Sequence, residues 1–284
     1  MLLEIARGES EIALGDKARK ALGEMIALQG DPALLSITAL AERLGINPST
    51  ITRLARNLGY QGFGGLQQVL LQASMTPSGA FYTQQAETAL TSGGSSTKAR
   101  AERLCRENQA NIDRIVDNFD PTQFDLAVKL ISKADRISVH GIRQFHAFAS
   151  FLVYGLRMIR SDVHLLDGSA LGIAEDLATL GPGDLLISAS CAPYSGAVIE
   201  AAQAASERRV PVLAITDKAN SRLLDASKAA LLVSHETSFI SNSLTAFIAL
   251  AECLINDCAA ARPKAAKAAL KDREWMIGRL GIEL

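Results

Sequence analysis

The side chains best suited to bind a small molecule are hydroxyl and guanidinium groups that follow short apolar runs. Ser188, Ser190 and Ser195 come directly after the apolar run at 185–187. Serine hydroxyls and the free N–H groups of a helix start suit a phosphate or carboxylate, and Arg143 would add a bidentate pair to that anion. The predicted ligand-binding residues are Gly141, Arg143, Gln144, Ser188, Ser190, Tyr194, Ser195 and Glu236. The alternative is that these residues only cap helices and close turns.

A second chemistry is proton transfer on a bound sugar, with Glu236 as general base and His235 beside it. Adjacent residues in one turn rarely share a reacting centre. We therefore predict no catalytic residue and no enzymatic activity, and keep a phosphosugar isomerase with an accessory helical domain as the alternative function.

Metal and redox chemistry have little support in the sequence. The four cysteines form no Cys-x-x-Cys pair, and His140, His146 and His164 fall on separate predicted elements. We predict no metal site and no cofactor. Cys191 lies ahead of a predicted helix, where a thiol pKa could fall, so a redox-sensing thiol stands as the alternative to a packed small residue.

The elements that position the predicted site alternate between strand and helix. Strands are expected at 136–140, 163–166, 185–190, 210–216 and 230–234, with helices between them that include one at 221–226. This order predicts a doubly wound α/β domain with a five-stranded parallel sheet, in which ligands bind beyond the carboxyl ends of the strands. A helix at 240–261 is apolar on most sides, which requires burial in the core or against a partner and favours a homodimer or homotetramer.

An N-terminal pair of short helices has a different signature. Residues 37–44 and 48–58 each repeat apolar residues at i, i+3, i+4 and i+7, Gly45 suits the turn between them, and Asn47 and Pro48 suit the start of the second helix. The pattern predicts an all-helical helix-turn-helix domain that binds a double-stranded DNA operator. The predicted DNA-binding residues are Asn47, Pro48, Ser49, Thr50, Thr52, Arg53 and Arg56.

Charge and length refine this prediction. The formal net charge is −1, so DNA binding has to rest on local charge; between 36 and 74 the only acid is Glu42, against Arg43, Arg53 and Arg56. We predict a helix-turn-helix domain at 1–75, a linker at 76–98 and an α/β ligand-binding and oligomerisation domain at 99–284. No signal peptide or membrane-spanning run is recognised, so a cytoplasmic location without a membrane partner is expected.

Two sets of motifs resemble one family, the RpiR/MurR-type bacterial transcriptional regulators. The segments Ile37-Thr-Ala-Leu-Ala-Glu-Arg-Leu-Gly-Ile46 and Thr50-Ile-Thr-Arg-Leu-Ala-Arg-Asn-Leu-Gly-Tyr-Gln-Gly-Phe63 resemble its helix-turn-helix signature. The stretch 134–255 resembles its sugar-isomerase-type (SIS) domain, with Gly181-Pro-Gly-Asp-Leu-Leu-Ile-Ser188 and Val212-Leu-Ala-Ile-Thr-Asp217 as typical pieces. The resemblance implies a homo-oligomeric transcriptional regulator whose DNA affinity is tuned by a small metabolite, often a sugar phosphate.

The ligand loops depart from the family pattern. Phe145 stands where the family's first loop often has a phosphate-binding serine, and Ser190-Cys-Ala-Pro-Tyr-Ser195 keeps hydroxyls only at its two ends. The expected effector is therefore an anionic sugar metabolite, either a sugar phosphate or a sugar acid.

Overall fold

The structure is a computed structural model that describes residues 5, 14–28, 34, 36–74, 80–91, 96–169 and 172–283. The chain divides into two compact units, Met1–Thr83 and Gln84–Leu284. The stretch Gly30-Asp31-Pro32, whose glycine and proline are expected to break a helix, lies outside the described residues.

The first unit is helical. Its described helices are α1 (Asp16–Ala27), α2 (Ile37–Leu44), α3 (Pro48–Asn57) and α4 (Phe63–Ser74). Their apolar faces meet in one core, because each helix carries its apolar residues at helical spacing. The core includes Leu22, Met25, Leu40, Ile51, Leu54 and Leu66. The predicted helix pair is therefore present, with the buried side chains on the predicted faces.

The turn between α2 and α3 depends on Gly45. Its φ of 62° is in the left-handed region, and the next residue, Ile46, donates its N–H to Ala41 O at 3.0 Å. Only glycine adopts this φ without steric cost. The turn thus ends α2 and fixes where α3 begins.

Helix α5 (Ala80–Thr91) lies inside the predicted linker at 76–98 and contains the boundary between the two units. The flanking glycines, Gly93 and Gly94, are outside the described residues. The assignment of 1–75 and 99–284 as the functional domains remains a prediction.

The second unit alternates strands and helices. After α6 (Thr97–Asp117) and α7 (Pro121–Lys133) the order is β1 (Ile137–His140), α8 (Gln144–Arg157), β2 (Val163–Leu165), α9 (Ile173–Ala178), β3 (Leu185–Ala189), α10 (Gly196–Glu207), β4 (Val212–Thr216), β5 (Ala229–Leu232), α11 (Thr245–Ala261) and α12 (Pro263–Leu280). The five strands form one parallel sheet in the order β2-β1-β3-β4-β5. The predicted fold class is confirmed.

Helices cover both faces of this sheet. Ile137, Ile187 and Leu213 point into a core shared with α7, α8 and α11, and Leu186 and Val212 point into a second core shared with α10. Because successive side chains of a strand alternate between faces, the strands are apolar without alternation, as the sequence indicated.

Two predicted helices differ from the structure. Residues 221–226 contain only a 3₁₀ turn, Leu224–Ala226. The helix predicted at 240–261 begins at Thr245, because Ser243 Oγ accepts the Thr245 N–H at 3.3 Å and the residues before it form a loop. The apolar residues of α11, which include Phe247, lie in the core of the second unit. Its apolar sides are thus explained without a second subunit.

Candidate functional site

The start of α3 is fixed by a local cap. Asn47 Oδ1 accepts the Ser49 N–H at 2.9 Å and the Ser49 hydroxyl at 2.8 Å, and Pro48 occupies the first turn of the helix. Thr52 donates its hydroxyl to Pro48 O at 3.2 Å. Three predicted DNA-binding side chains, those of Asn47, Ser49 and Thr52, therefore hold the helix start in place.

The opposite face of α3 is open to solvent. Ile51, Leu54 and Ala55 are buried, whereas Arg53 and Arg56 are exposed and Thr50 is half-buried. Among the described residues, no ion pair involves Arg53 or Arg56. This face presents two cations and a hydroxyl, which are groups that contact DNA phosphates and base edges.

The loop after β1 holds the first predicted ligand residues. Gly141 is required by close packing, since a Cβ there would lie 2.6 Å from Phe145 O. Arg143 is exposed directly before α8, with a φ of 57° that a non-glycine residue seldom adopts. Gln144 donates to Asn242 O and accepts from the Ser241 hydroxyl at 2.8 Å. Its amide therefore ties the start of α8 to the loop before α11.

The loop after β3 keeps only part of the predicted anion cradle. Ser190 Oγ accepts the Ser195 N–H at 3.2 Å, so the Ser190 hydroxyl fixes the start of α10. Ser188 is fully buried at the end of β3, with its hydroxyl unpaired within the described residues. Phe145 packs edge to face on Phe247, with ring centroids 4.9 Å apart. The residue that replaces the family's serine is thus a core side chain.

Asp217 organises the site, although the sequence did not assign it. Its side chain is 3% exposed, accepts the Tyr194 hydroxyl at 2.7 Å and lies 3.1 Å from His235 Nε2. Burial acts to raise the pKa of Asp217, but hydrogen bonds from His235 and Tyr194 outweigh it and hold the pKa below its ordinary value. Its position after β4 was the only sequence signal.

The same carboxylate acts on its neighbours. Burial, and then the charge of Asp217, raise the pKa of the Tyr194 hydroxyl well above its ordinary range. Burial and Asp217 likewise raise the pKa of Cys191, which is 2% exposed. Cys191 is therefore a packed side chain, and the alternative of a redox-sensing thiol with a lowered pKa has no support, because burial and the nearby carboxylate both disfavour the thiolate.

His235 and Glu236 turn to different partners. Glu236 Oε2 lies 3.1 Å from an Arg114 nitrogen, whereas His235 pairs with Asp217. Because the two side chains have separate partners, they do not form the acid–base pair of the isomerase alternative. Glu236 is thus held by Arg114 of α6.

Helix α6 holds the loop between β5 and α11. Asn111, which is fully buried, donates to Glu236 O at 2.7 Å, and Glu107 accepts both the N–H and the hydroxyl of Ser238, at 2.6 and 2.8 Å. Burial acts to raise the pKa of Glu107, but the bonds from Ser238 and Arg103 outweigh it and lower that pKa. The position of this loop is therefore coupled to that of α6.

Two further features bear on function classes. In the part of the chain that the structure describes, no group of three His, Cys, Asp or Glu residues is arranged to hold a metal ion. Within the same described ranges, every helix is too short or too polar to cross a lipid bilayer.

Comparison with known proteins defines the second unit. The sequence profile of the SIS domain matches residues 130–256. This segment is a SIS domain, and it spans all five strands and the loops of the candidate ligand site.

Solved structures extend the match. The chain is similar to the sugar isomerase domain of an RpiR transcription factor from Sphaerobacter thermophilus, with 27% identity over 61% of this chain and 97% of that chain and a TM-score of 0.59. It shares its fold with the Vibrio vulnificus NanR protein complexed with ManNAc-6P, at 20% identity over 99% of both chains and a TM-score of 0.57. The match to the Escherichia coli CFT073 protein c3406 covers 61% of this chain and 95% of that chain, at 13% identity and a TM-score of 0.53. The predicted resemblance is thereby confirmed: a SIS domain similar to that of an RpiR factor follows a helical N-terminal region, and the full chain has the fold of NanR.

Proposed function

We propose that the chain is a DNA-binding transcriptional regulator whose SIS domain senses an anionic sugar metabolite, either a sugar phosphate or a sugar acid. The observation that carries the proposal is the pairing, in one chain, of a capped helix with an exposed cationic face and a SIS domain with hydroxyls at its strand ends. The fold shared with NanR over 99% of the chain agrees with it.

In this proposal α3 enters the major groove. Thr50, Thr52 and Arg53 reach base edges, and Arg56 reaches a phosphate or a guanine. Asn47, Pro48 and Ser49 hold the start of the helix against the DNA backbone. A cytoplasmic location follows from DNA binding.

The effector would lie across the carboxyl ends of the strands, in what we call the strand-end site. The proposed contacts from the first loop are Gly141, Arg143 and Gln144, and those from the later loops are Ser188, Ser190, Tyr194, Ser195 and Glu236. Arg143 and the N–H groups at the start of α10 supply the positive potential for the anion. An isomerase has less support, because His235 and Glu236 are paired apart from each other.

A homodimer or homotetramer completes the proposal, since two half-sites need two reading helices. Its support in the structure is α12, whose far end exposes Met276 by 46% and, one turn later on the same face, Leu280 by 62%. Large apolar side chains exposed together on one helix indicate a protein contact. A monomeric mass in light scattering at about micromolar concentration would contradict it.

DNA binding is tested with an operator selected from random duplexes and measured by fluorescence anisotropy at fixed salt. Arg53→Ala is expected to weaken binding by at least about fivefold, since a bidentate base contact contributes about 1–3 kcal/mol. Arg19→Ala is the matched control, because it removes an equal charge from α1, where Arg19 pairs with Asp16. Equal losses in the two variants would show that α3 does not read the DNA.

A further inference from the structure

Two buried polar atoms at the carboxyl end of the sheet lack partners. Among the described residues, neither His140 Nε2 nor Ser188 Oγ has a hydrogen-bond partner, and the two residues are 1% and 0% exposed. An unpaired buried polar group costs about 1–3 kcal/mol. Two such atoms on neighbouring strands therefore indicate a hydrogen-bond partner outside the described residues, such as a ligand.

The two residues are neighbours across the sheet. His140 is the last residue of β1 and is in register with Ser188 of β3, so their Cα atoms are about 5 Å apart and their side chains project from the same face. That face is the one α10 covers, since Leu186, two residues before Ser188, packs in the core shared with α10. Ser190, two residues after Ser188, meets the Ser195 N–H at the start of α10. The pair thus lies directly below the two loops of the proposed effector site.

The hydrogen-bonding state of His140 is set by its other nitrogen. His140 Nδ1 lies 2.7 Å from Leu166 O, and because a carbonyl only accepts, Nδ1 carries the proton. Burial lowers the pKa of His140 and favours the neutral ring. Nε2 is then a pure acceptor, while the Ser188 hydroxyl both donates and accepts.

An acceptor beside a hydroxyl fits one ligand group. A sugar hydroxyl donates its hydrogen to Nε2 and accepts the hydrogen of Ser188 Oγ. An ionised phosphate or carboxylate oxygen has no hydrogen to donate and would meet the imidazole lone pair, so this position favours a neutral hydroxyl over an ionised oxygen.

We propose that His140 Nε2 and Ser188 Oγ together bind one neutral hydroxyl of the effector at the floor of the strand-end site, below the loops that hold its anionic group. This inference rests on the proposed function in taking the ligand to be a sugar derivative. It assigns to His140 the recognition of a sugar hydroxyl. It also separates the two serines, since Ser188 binds the ligand while Ser190 holds the start of α10. Both loops have to part to admit the hydroxyl, because neither atom contacts solvent.

The test uses the full chain, Ser188→Ala and the matched control Ser132→Ala. Ser132 Oγ is the third unpaired buried side-chain atom in the described structure, and it lies at the end of α7, far along the chain from the strand-end loops. The probes are ManNAc-6P, gluconate as a sugar acid, unphosphorylated N-acetylmannosamine and inorganic phosphate, each titrated by calorimetry.

Ser188→Ala is expected to weaken binding of the sugar probes by about tenfold, because it removes one hydrogen bond between the Ser188 hydroxyl and the sugar. Ser188→Ala should leave the affinity for inorganic phosphate unchanged, and Ser132→Ala should change neither the affinity for the sugar probes nor that for phosphate. Unchanged sugar affinity in Ser188→Ala would overturn the inference. Binding of N-acetylmannosamine but of no anionic probe, still weakened by Ser188→Ala, would support the inference while contradicting the proposed anionic effector.

Thermal unfolding without ligand gives a second readout that does not depend on the choice of sugar. If both hydroxyls are unpaired in the free protein, each alanine variant raises the midpoint by about 2–4 °C. A lower midpoint for Ser188→Ala alone would show that its hydroxyl is satisfied in the free protein, for instance by a water molecule, and would overturn the inference. If no probe binds, the proposed effector class fails and the midpoints alone decide about Ser188.

Discussion

Helix α3 and the strand-end site are built in opposite ways. The start of α3 is held by residues two to four positions apart, such as Asn47 with Ser49 and Pro48 with Thr52. The strand-end site is held by residues far apart in the chain, as in the bond from Tyr194 to Asp217. A local cap fixes one element, whereas a distant bond fixes two loops at once. Substitutions should therefore remain local in the first unit and spread in the second.

The largest expected effect is at Asp217. Asp217→Ala leaves Tyr194 and His235 without their shared acceptor, and each buried donor left unpaired costs about 1–3 kcal/mol. Urea unfolding of the full chain should show this loss in the transition of the SIS domain. Asp217→Asn, which keeps an acceptor, should lose less; an equal loss would show that the charge of Asp217, and not its acceptor oxygens, stabilises the site.

Two glycines sharpen the comparison. Gly141→Ala forces a Cβ to 2.6 Å from Phe145 O, and overpacking against backbone costs about 2 kcal/mol. Gly45→Ala meets no atom within 4 Å, and costs about 1 kcal/mol through its positive φ alone. Chemical denaturation that ranked Gly45→Ala as the more damaging change would contradict this difference.

The local cap should give a smaller loss. Asn47→Ala removes the acceptor of the Ser49 N–H and is expected to lower the free energy of unfolding of the first unit by about 1 kcal/mol. Hydrogen exchange would place the added opening at the first turn of α3, with the SIS domain amides unchanged. Asn47→Asp, which keeps a capping oxygen, should restore protection.

The smallest expected effect is a pH dependence from His140. Burial lowers its folded pKa below that of the unfolded chain, so the unfolded chain takes up a proton first as the pH falls through about 6.5. The free energy of unfolding should fall by roughly 0.5 kcal/mol more in the wild type than in His140→Gln between about pH 7.5 and about pH 6. Parallel pH profiles would mean that the ring is not held neutral.

The same contrast explains what the sequence could predict. The cap at Asn47, the turn at Gly45 and the five strands follow from patterns within a few residues, and each is where it was expected. The role of Asp217 was not predicted, because its partners Tyr194 and His235 come from two other loops. The helix expected at 240–261 starts only at Thr245, because Gln144 and Asn108 bind Asn242 and Ser243 in the loop before it. Such distant bonds leave no periodic signal.

The central claim is that a sugar anion at the strand ends changes the affinity of α3 for its operator. Its most direct test is a titration of the selected operator by fluorescence anisotropy, with and without the anionic sugar that most stabilises the protein in a thermal-shift screen. Coupling between two sites is typically 5–150-fold, so we expect a shift of at least about fivefold in the operator Kd. Saturating ligand that leaves the operator Kd unchanged would contradict the claim.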